Sequence, residues 1–192
     1  MFRLSTMIAA VPLGLVLLLG DIGAPAAGQE PSTAARWFTD RTLVSQHDRP
    51  LRFYSDVLED QVVLINFMFT HCEGVCPLST QKLRQVQQRL QGRQADRIRL
   101  ISISVDPQRD TPQQLREFAE HFEAGPDWLF LSGEAADVQF VLGRLGQVVA
   151  EPDAHQTLCL LGNVKTGHWV KMQGFSPVEE IADKLMELAD EG

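Results

Sequence analysis

Two cysteines, Cys72 and Cys76, are the residues of this chain whose type and spacing point to chemistry. They lie in the segment FMFTHCEGVCP, at the end of the apolar run Val62 to Phe69, whose β-branched and aromatic residues predict a strand buried on both faces. Pro77 follows and suits the first residue of a helix. Both thiols should then lie on a strand-to-helix turn, where the helix dipole lowers a thiol pKa. The thiolate so favoured is both a nucleophile and a metal ligand.

The alternative for Cys72 and Cys76 is a plain disulfide, or two buried thiols without chemistry. A disulfide that closes so short a loop adds little stability, which favours a functional role. The spacing Cys-x-x-x-Cys is one residue longer than that of thioredoxins, yet both sulfurs can still converge on one ion. Soft thiolates select Cu(I) or zinc over harder ions. Two thiolates make an incomplete metal site, so a third donor is expected elsewhere in the chain.

His155 is the candidate for that third donor. It stands just before a predicted strand, Thr157 to Leu161, and in a thioredoxin-like layout this loop lies across from the cysteine turn. An ordinary loop histidine is the alternative that the residues alone leave open. His71 adjoins Cys72, but adjacent side chains usually point apart. We therefore expect His71 to lie near the site without binding the ion.

The remaining sulfur and imidazole groups are predicted to have no part in the site. Three histidines are expected to be solvated: His47, His121 and His168. Cys159 should be a small buried residue, because a regular strand would place it about 13 Å from His155. Met68 and Met172 are expected to pack in the core and in a hairpin.

The first 28 residues are predicted to be a signal peptide or an N-terminal anchor. Arg3 is followed by an uncharged apolar run, Met7 to Gly20, and Ala24-Pro25-Ala26 is typical of a signal-peptidase site. That run is short for a membrane span, which needs about 20 residues. The domain should then face an oxidising compartment, most simply a bacterial periplasm, with anchoring to the inner membrane as the alternative.

Composition limits the remaining organisation and the partners. Residues 29–36 are predicted to be a polar linker, and 37–192 a single domain large enough for a core. The net charge of −8 and the isoelectric point near 5.1 argue against nucleic acid or an anionic membrane as partner. The chain has three cysteines, an odd number, so not all of them can pair in disulfides within an exported protein.

The apolar pattern predicts the element order hairpin, β, α, β, α, β, α, β, β, α. The hairpin pairs Thr42–Val44 with Leu51–Phe53, and the helix after the cysteines covers Leu78–Leu90. Asp110 or Thr111 is predicted to cap the next helix. A βαβ start followed by a terminal antiparallel hairpin and a helix fits an α/β, thioredoxin-like fold with a central mixed sheet between helices.

Four stretches of the sequence resemble the Sco/SenC family, thioredoxin-fold proteins that serve copper delivery to cytochrome c oxidase. They are VVLINFMFTHCEGVCP, ISISVDPQRDTPQQL, the histidine of EPDAHQT, and LLGNVKTGHWVKMQGF. The resemblance implies that Cys72, Cys76 and His155 bind copper as Cu(I) or Cu(II), with Asp106 near the ion but not bound to it. It also implies that the recipient is the binuclear copper centre of a terminal oxidase.

Other functions stay open at this point. The main rival is a thiol–disulfide oxidoreductase with Cys72 as attacking thiolate and Cys76 as resolving thiol, so the sequence does not decide whether the protein is an enzyme. A peroxiredoxin-like peroxidase is disfavoured because Thr70 lies two residues before Cys72 rather than three. The activated turn argues against a purely structural domain. Loss of the His155 imidazole would distinguish the copper carrier from the thiol–disulfide oxidoreductase, since only the copper carrier needs this group.

Overall fold

In the part of the chain that the structure describes, the central sheet has seven strands, which are β1 (Thr42–Ser45), β2 (Pro50–Arg52), β3 (Val62–Met68), β4 (Ile98–Ser104), β5 (Trp128–Ser132), β6 (Leu158–Asn163) and β7 (His168–Gln173). Their spatial order is β2-β1-β5-β4-β3-β6-β7. Strands β3, β4 and β5 run parallel, whereas the other neighbouring strands pair antiparallel. The predicted mixed sheet and the N-terminal hairpin β1–β2 are therefore confirmed.

Five helices pack around this sheet in the computed structural model, which describes residues 32–92, 97–147, 152 and 157–191. They are α1 (Thr33–Phe38), α2 (Val75–Leu90), α3 (Pro112–His121), α4 (Ala135–Arg144) and α5 (Val178–Asp190). None of the helices in these ranges combines the length and hydrophobicity that crossing a membrane requires. The predicted signal peptide or anchor, residues 1–28, lies outside the described residues.

Two local features differ from the sequence interpretation. Residues 29–36 were assigned to a linker, but α1 includes the last four of them. The helix forms because the Ser32 hydroxyl accepts the backbone N–H of Ala35, and because Phe38 packs against Phe53 and Trp169. A π-helical turn, Phe53–Leu58, follows the N-terminal hairpin directly and buries four of its six residues. No periodicity in so short a segment predicts such a turn.

Strand β3 is the middle of the core and is buried at all seven positions. Its parallel partner β4 has the same register along its whole length, from Val62 opposite Ile98 to Met68 opposite Ser104. The carboxyl ends of parallel strands meet at one edge of a sheet. The loops after β3 and β4 therefore lie side by side, which places the cysteine segment next to the segment that contains Asp106.

The edge of the sheet where β3 and β4 end is here called the carboxyl edge. Strand β6 runs antiparallel to β3, with Cys159 opposite Asn66, so β6 begins at the carboxyl edge. Strand β7 runs antiparallel to β6, with Gln173 opposite Leu158, so β7 ends there. Four chain segments that are far apart in sequence meet at the carboxyl edge for this reason.

Candidate metal centre

Cys72 and Cys76 lie between β3 and α2 at the carboxyl edge. Strand β3 ends at Met68, and helix α2 begins at Val75, so Cys72 precedes the helix and Cys76 lies in its first turn. The Cys72 side chain is half-buried, whereas Cys76 is only 1% exposed. Neither forms a disulfide bond in this structure. One sulfur can thus be reached from solvent and the other is enclosed by the protein.

The start of α2 corrects the sequence interpretation. The helix was predicted to begin near Leu78, with Pro77 as its first residue, but it begins at Val75, with Gly74 as N-cap. Pro77 is therefore the third helical residue. A proline is tolerated there because the N–H groups of the first turn have no partner within the helix. The earlier start brings Cys76 into the helix and turns its side chain toward the core.

The two thiols are in contact, and the environment of Cys76 is unfavourable to its thiolate. Burial, followed by a hydrogen bond with the Cys72 thiol, raises the pKa of Cys76 from 9.0 to about 12. A hydrogen bond with the backbone of Phe69 acts in the opposite direction. The prediction of a lowered pKa is therefore wrong for Cys76. A helix dipole contributes about 0.3–1 kcal/mol, less than the ~1.4 kcal/mol of one pKa unit, and desolvation exceeds it.

A buried carboxylate, that of Asp110, connects the cysteine segment to the loop after β4. One oxygen, Oδ1, accepts the hydroxyl of Thr70 at 2.6 Å and the backbone N–H of Thr70 at 3.1 Å. The other oxygen, Oδ2, accepts the hydroxyl of Ser104 at 2.6 Å. Asp110 is 1% exposed, and charge-assisted hydrogen bonds of this kind are stronger than neutral ones. The position of the turn before Cys72 is thereby tied to β4.

Asp110 is the important residue that sequence reasoning missed. It was considered only as one of two possible caps for α3, and Thr111 is the cap, in a reciprocal pair of bonds with Gln114. Helix α3 thus leaves the Asp110 side chain available for Thr70. The available signal was a second acidic residue, four positions after Asp106, at the end of a strand predicted to lie beside β3.

His71 and Asp106, which were expected near the site, lie at the carboxyl edge. His71 is exposed, with Nδ1 at 3.0 Å from the Thr70 hydroxyl and 3.9 Å from Asp110 Oδ1. Asp106 is nearly buried, and its Oδ2 lies 3.6 Å from Nε of Arg109. The Asp106 carbonyl accepts the backbone N–H groups of Arg109 and Asp110, which forms the turn before α3.

The other sulfur and imidazole groups lie where the sequence predicted. Cys159 is 2% exposed, and burial raises its pKa to about 12. Met68 and Met172 are buried in the core. The remaining described histidines are exposed: His47, His121 and His168. His168 also pairs with Glu191 at 2.7 Å, a surface contact that the sequence did not predict.

The third predicted ligand, His155, lies outside the described residues. Thr157, two residues later, is described, and its carbonyl accepts the backbone N–H of Gly174 at 2.9 Å. Within the ranges that the structure describes, no group of three or more His, Cys, Asp or Glu side chains is arranged to hold a metal ion. The described donors are thus the two thiols in contact, which fit a soft ion and need a further ligand.

A groove of about 820 Å³ lies elsewhere on the domain, between α1, the end of α4 and the β6–β7 hairpin. Trp37, Phe38 and Trp169 are among its apolar walls. Neither Cys72 nor Cys76 lines it. The paired thiols therefore lie outside this groove.

Comparison with known proteins points to one family. The sequence model described as SCO1/SenC matches residues 29–190 of the chain. A Bacillus subtilis protein named SCO1 protein homolog is 36% identical over 99 residues, which are 50% of this chain and 51% of that protein. The chain spans about half the length of the first curated relatives that it matches.

Solved structures share the fold. ScoI of Bradyrhizobium japonicum with copper bound superposes with a TM-score of 0.64 at 29% identity, over 77% of this chain and 96% of that one. BsSco, a member of the Sco family of cytochrome c oxidase assembly proteins, superposes with a TM-score of 0.67 at 26% identity, over 81% and 94% of the chains. The thioredoxin-like fold is confirmed, and this chain belongs to the SCO1/SenC family.

Proposed function

We propose that this protein is a copper carrier, which binds copper through Cys72, Cys76 and His155 and delivers it to the binuclear copper centre of a terminal oxidase. The observation that carries the proposal is the contact between a half-buried thiol, Cys72, and a buried thiol, Cys76, at the start of α2. Two soft sulfur donors that already touch can bind Cu(I) with little rearrangement.

The sheet topology supports His155 as the third donor. In the sequence His155 stands two residues before Thr157, and β6 begins at the carboxyl edge, where β3 also ends. An extended chain covers about 3.3–3.6 Å per residue, so two residues reach about 7 Å from Thr157. This short chain distance from the carboxyl edge supports the proposal that His155 supplies the third donor.

The donor set suits a carrier better than a structural metal site. A structural zinc site is closed by four protein ligands, whereas two thiolates and one imidazole leave one side of the ion open. The half-buried position of Cys72 makes that side accessible from solvent. A recipient's ligand can thus reach the ion without unfolding the domain.

Family membership supports the copper cargo and the recipient. Bradyrhizobium japonicum ScoI has been solved with copper bound, and BsSco belongs to a family of cytochrome c oxidase assembly proteins. We extend these properties to this chain. The leader-like residues 1–28 support export to the periplasm, with retention at the inner membrane if they are not cleaved.

An anaerobic titration of the reduced domain with Cu(I), in competition with a chromogenic chelator, tests the proposal. The wild type should bind one equivalent, and both Cys72→Ala and His155→Ala should lose affinity because each removes one of three donors. Cys159→Ala is the matched control, since this buried thiol lies outside the site and its loss should leave the affinity unchanged. Equal affinity in all four proteins would refute the proposal.

A thiol–disulfide oxidoreductase is the second candidate, and the same thiol contact favours it. Cys72 is the accessible thiol and would attack a partner disulfide, after which Cys76 would resolve the mixed disulfide. Oxidation of the pair removes two protons and two electrons and leaves no thiolate for Cu(I). His155→Ala separates the two functions, because disulfide exchange should persist in this variant whereas high-affinity Cu(I) binding should not.

A further inference from the structure

Three of the four exposed large apolar side chains in the described part of the chain belong to segments that meet at the carboxyl edge, where the paired thiols also lie. These three are Val75, Leu78 and Phe175, which we call the apolar rim; the fourth, Trp37, is on α1. Leu78 is 60% and Phe175 46% exposed. Single exposed apolar residues are common, whereas several on one surface are a candidate interaction site.

The helix geometry and one lysine bring the members of the apolar rim together. Val75 and Leu78 are three residues apart on α2 and therefore share one face. Lys82, one turn further on that face, donates hydrogen bonds to the carbonyls of Phe175 at 2.8 Å and Ser176 at 3.0 Å. The backbone at Phe175 is thereby held near this face of α2.

The loop that contains Phe175 is also fixed from its other side. Gly174 donates its backbone N–H to the carbonyl of Thr157 at 2.9 Å, at the start of β6. A Cβ on Gly174 would lie 2.7 Å from Cγ2 of Thr157, so only glycine permits this approach. The backbone of this loop is therefore held in place before any partner arrives, which lowers the entropy cost of ordering the loop on binding.

The position of Cys72 indicates what kind of partner contacts the apolar rim. Its sulfur lies 4.0 Å from the point where a Cβ on Gly74 would stand, directly before Val75. Cys76 is enclosed, so a group that exchanges with this site must approach Cys72, across the first turn of α2. A small chelator can do so without touching Leu78 or Phe175, whereas a folded protein would cover them.

We propose that the apolar rim of Val75, Leu78 and Phe175 is the docking surface for the protein that receives copper from this site. The inference rests on the proposed function. The partner it fits is a folded domain whose thiolate and imidazole ligands lie in a surface loop bordered by apolar side chains. On docking, a partner thiol passes its proton to the Cys72 sulfur and bonds to Cu(I) as the bond to Cys72 breaks. A second partner thiol replaces Cys76 with the same proton exchange, a partner imidazole replaces that of His155, and copper keeps its oxidation state.

The test compares two acceptors of Cu(I). Copper-loaded wild type and the variant Leu78→Gln/Phe175→Gln are mixed anaerobically either with the apo copper-centre domain of the terminal oxidase from the same organism or with bathocuproine disulfonate. The variant should transfer copper to the protein about tenfold more slowly, because central apolar contacts dominate interface energies. Transfer to the chelator should be unchanged. Trp37→Gln, the matched control, should change neither rate.

The outcomes separate this inference from the proposed function. A rim variant that loads copper and passes it to the protein domain at the wild-type rate would overturn the docking surface alone. Equal slowing with the chelator and with the protein would also overturn it, since the substitutions would then act on the metal site itself. A wild type that does not load Cu(I) would refute the proposed function and the inference together.

Discussion

The carboxylate of Asp110 accepts the Thr70 hydroxyl at 2.6 Å, and this contact joins two loops that are 40 residues apart in sequence. The same carboxylate also accepts the Thr70 backbone N–H and the Ser104 hydroxyl. Thr70 lies two residues before Cys72, so the turn that presents the accessible thiol is held by a group from the next loop. The geometry of the thiol pair therefore depends on the packing of β3 against β4.

Asp110→Ala should lower the free energy of unfolding by about 2–4 kcal/mol, because it leaves buried donors on Thr70 and Ser104 without an acceptor. Urea unfolding of the reduced protein measures this. Asp137→Ala is the control, since it removes a partly exposed ion pair with Arg41 that should contribute at most about 1 kcal/mol. Equal losses in the two variants would contradict the importance of the buried carboxylate.

A double-mutant cycle isolates the contact itself. Thr70→Val, Asp110→Asn and the double variant should show a coupling free energy of about 0.5–3 kcal/mol, as expected for residues in direct hydrogen bonding. Additive losses would show that Asp110 acts through its other partners and not through the turn before Cys72.

The three cysteines should differ in reactivity in the folded, reduced protein. Iodoacetamide at about pH 8 should modify Cys72 first, because Cys76 and Cys159 are buried and have pKa values raised to about 12. Mass spectrometry of peptides at successive times measures the order. In urea all three thiols should react at similar rates. Modification of Cys76 as fast as Cys72 in the folded protein would show that the buried sulfur is accessible.

The buried thiol of Cys159 should make stability decrease at alkaline pH. Its pKa rises from 9.0 in the unfolded chain to about 12 in the fold, so above about pH 9 the unfolded state loses a proton that the folded state keeps. The free energy of unfolding should then fall by about 1.4 kcal/mol per pH unit from this group alone. Below about pH 9 the thiol is protonated in both states, so it does not make the free energy of unfolding depend on pH.

Cys159→Ala checks this dependence by difference. The unfolding free energy of the wild type minus that of the variant should stay constant from about pH 7 to pH 9 and decrease as the pH rises further. Other titrating groups are common to both proteins and cancel. A difference in unfolding free energy that stays constant up to about pH 10.5 would contradict the raised pKa of this thiol.

Two glycines should respond to alanine in opposite directions. Gly174→Ala should destabilise the protein by about 1–3 kcal/mol, because its Cβ would meet the Thr157 side chain and carbonyl at the start of β6. Gly143→Ala, in helix α4 with open space around it, should stabilise by about 0.5–1 kcal/mol. Thermal and urea unfolding of both variants and the wild type measure these changes in the free energy of unfolding. Similar effects of the two substitutions would contradict the close approach of Gly174 to β6.

Much of the fold was predictable because its strands have strong local patterns. The continuous apolar run of β3, the turn before Pro50 and the cap at Thr111 each determine structure within a few residues. The order of these elements then selects the mixed sheet, since parallel β3 and β4 need a crossover helix between them.

The candidate site was less predictable, because its properties arise from contacts between distant segments. The pKa of Cys76 depends on burial against the core, which the position of a helix dipole does not reveal. The bonds from Asp110 to Thr70 depend on the loops after two strands meeting at one edge. The apolar rim likewise joins residues of α2 to Phe175, almost 100 positions later in the chain.

X-ray absorption at the copper edge of the Cu(I)-loaded protein tests the central claim most directly. We predict a first coordination shell of two sulfur atoms and one imidazole nitrogen, with the nitrogen lost in His155→Ala and one sulfur lost in Cys72→Ala. The Cys159→Ala spectrum should match that of the wild type. A shell of sulfur alone that is unchanged by His155→Ala would contradict the two-thiolate, one-imidazole site and favour a dithiol oxidoreductase instead.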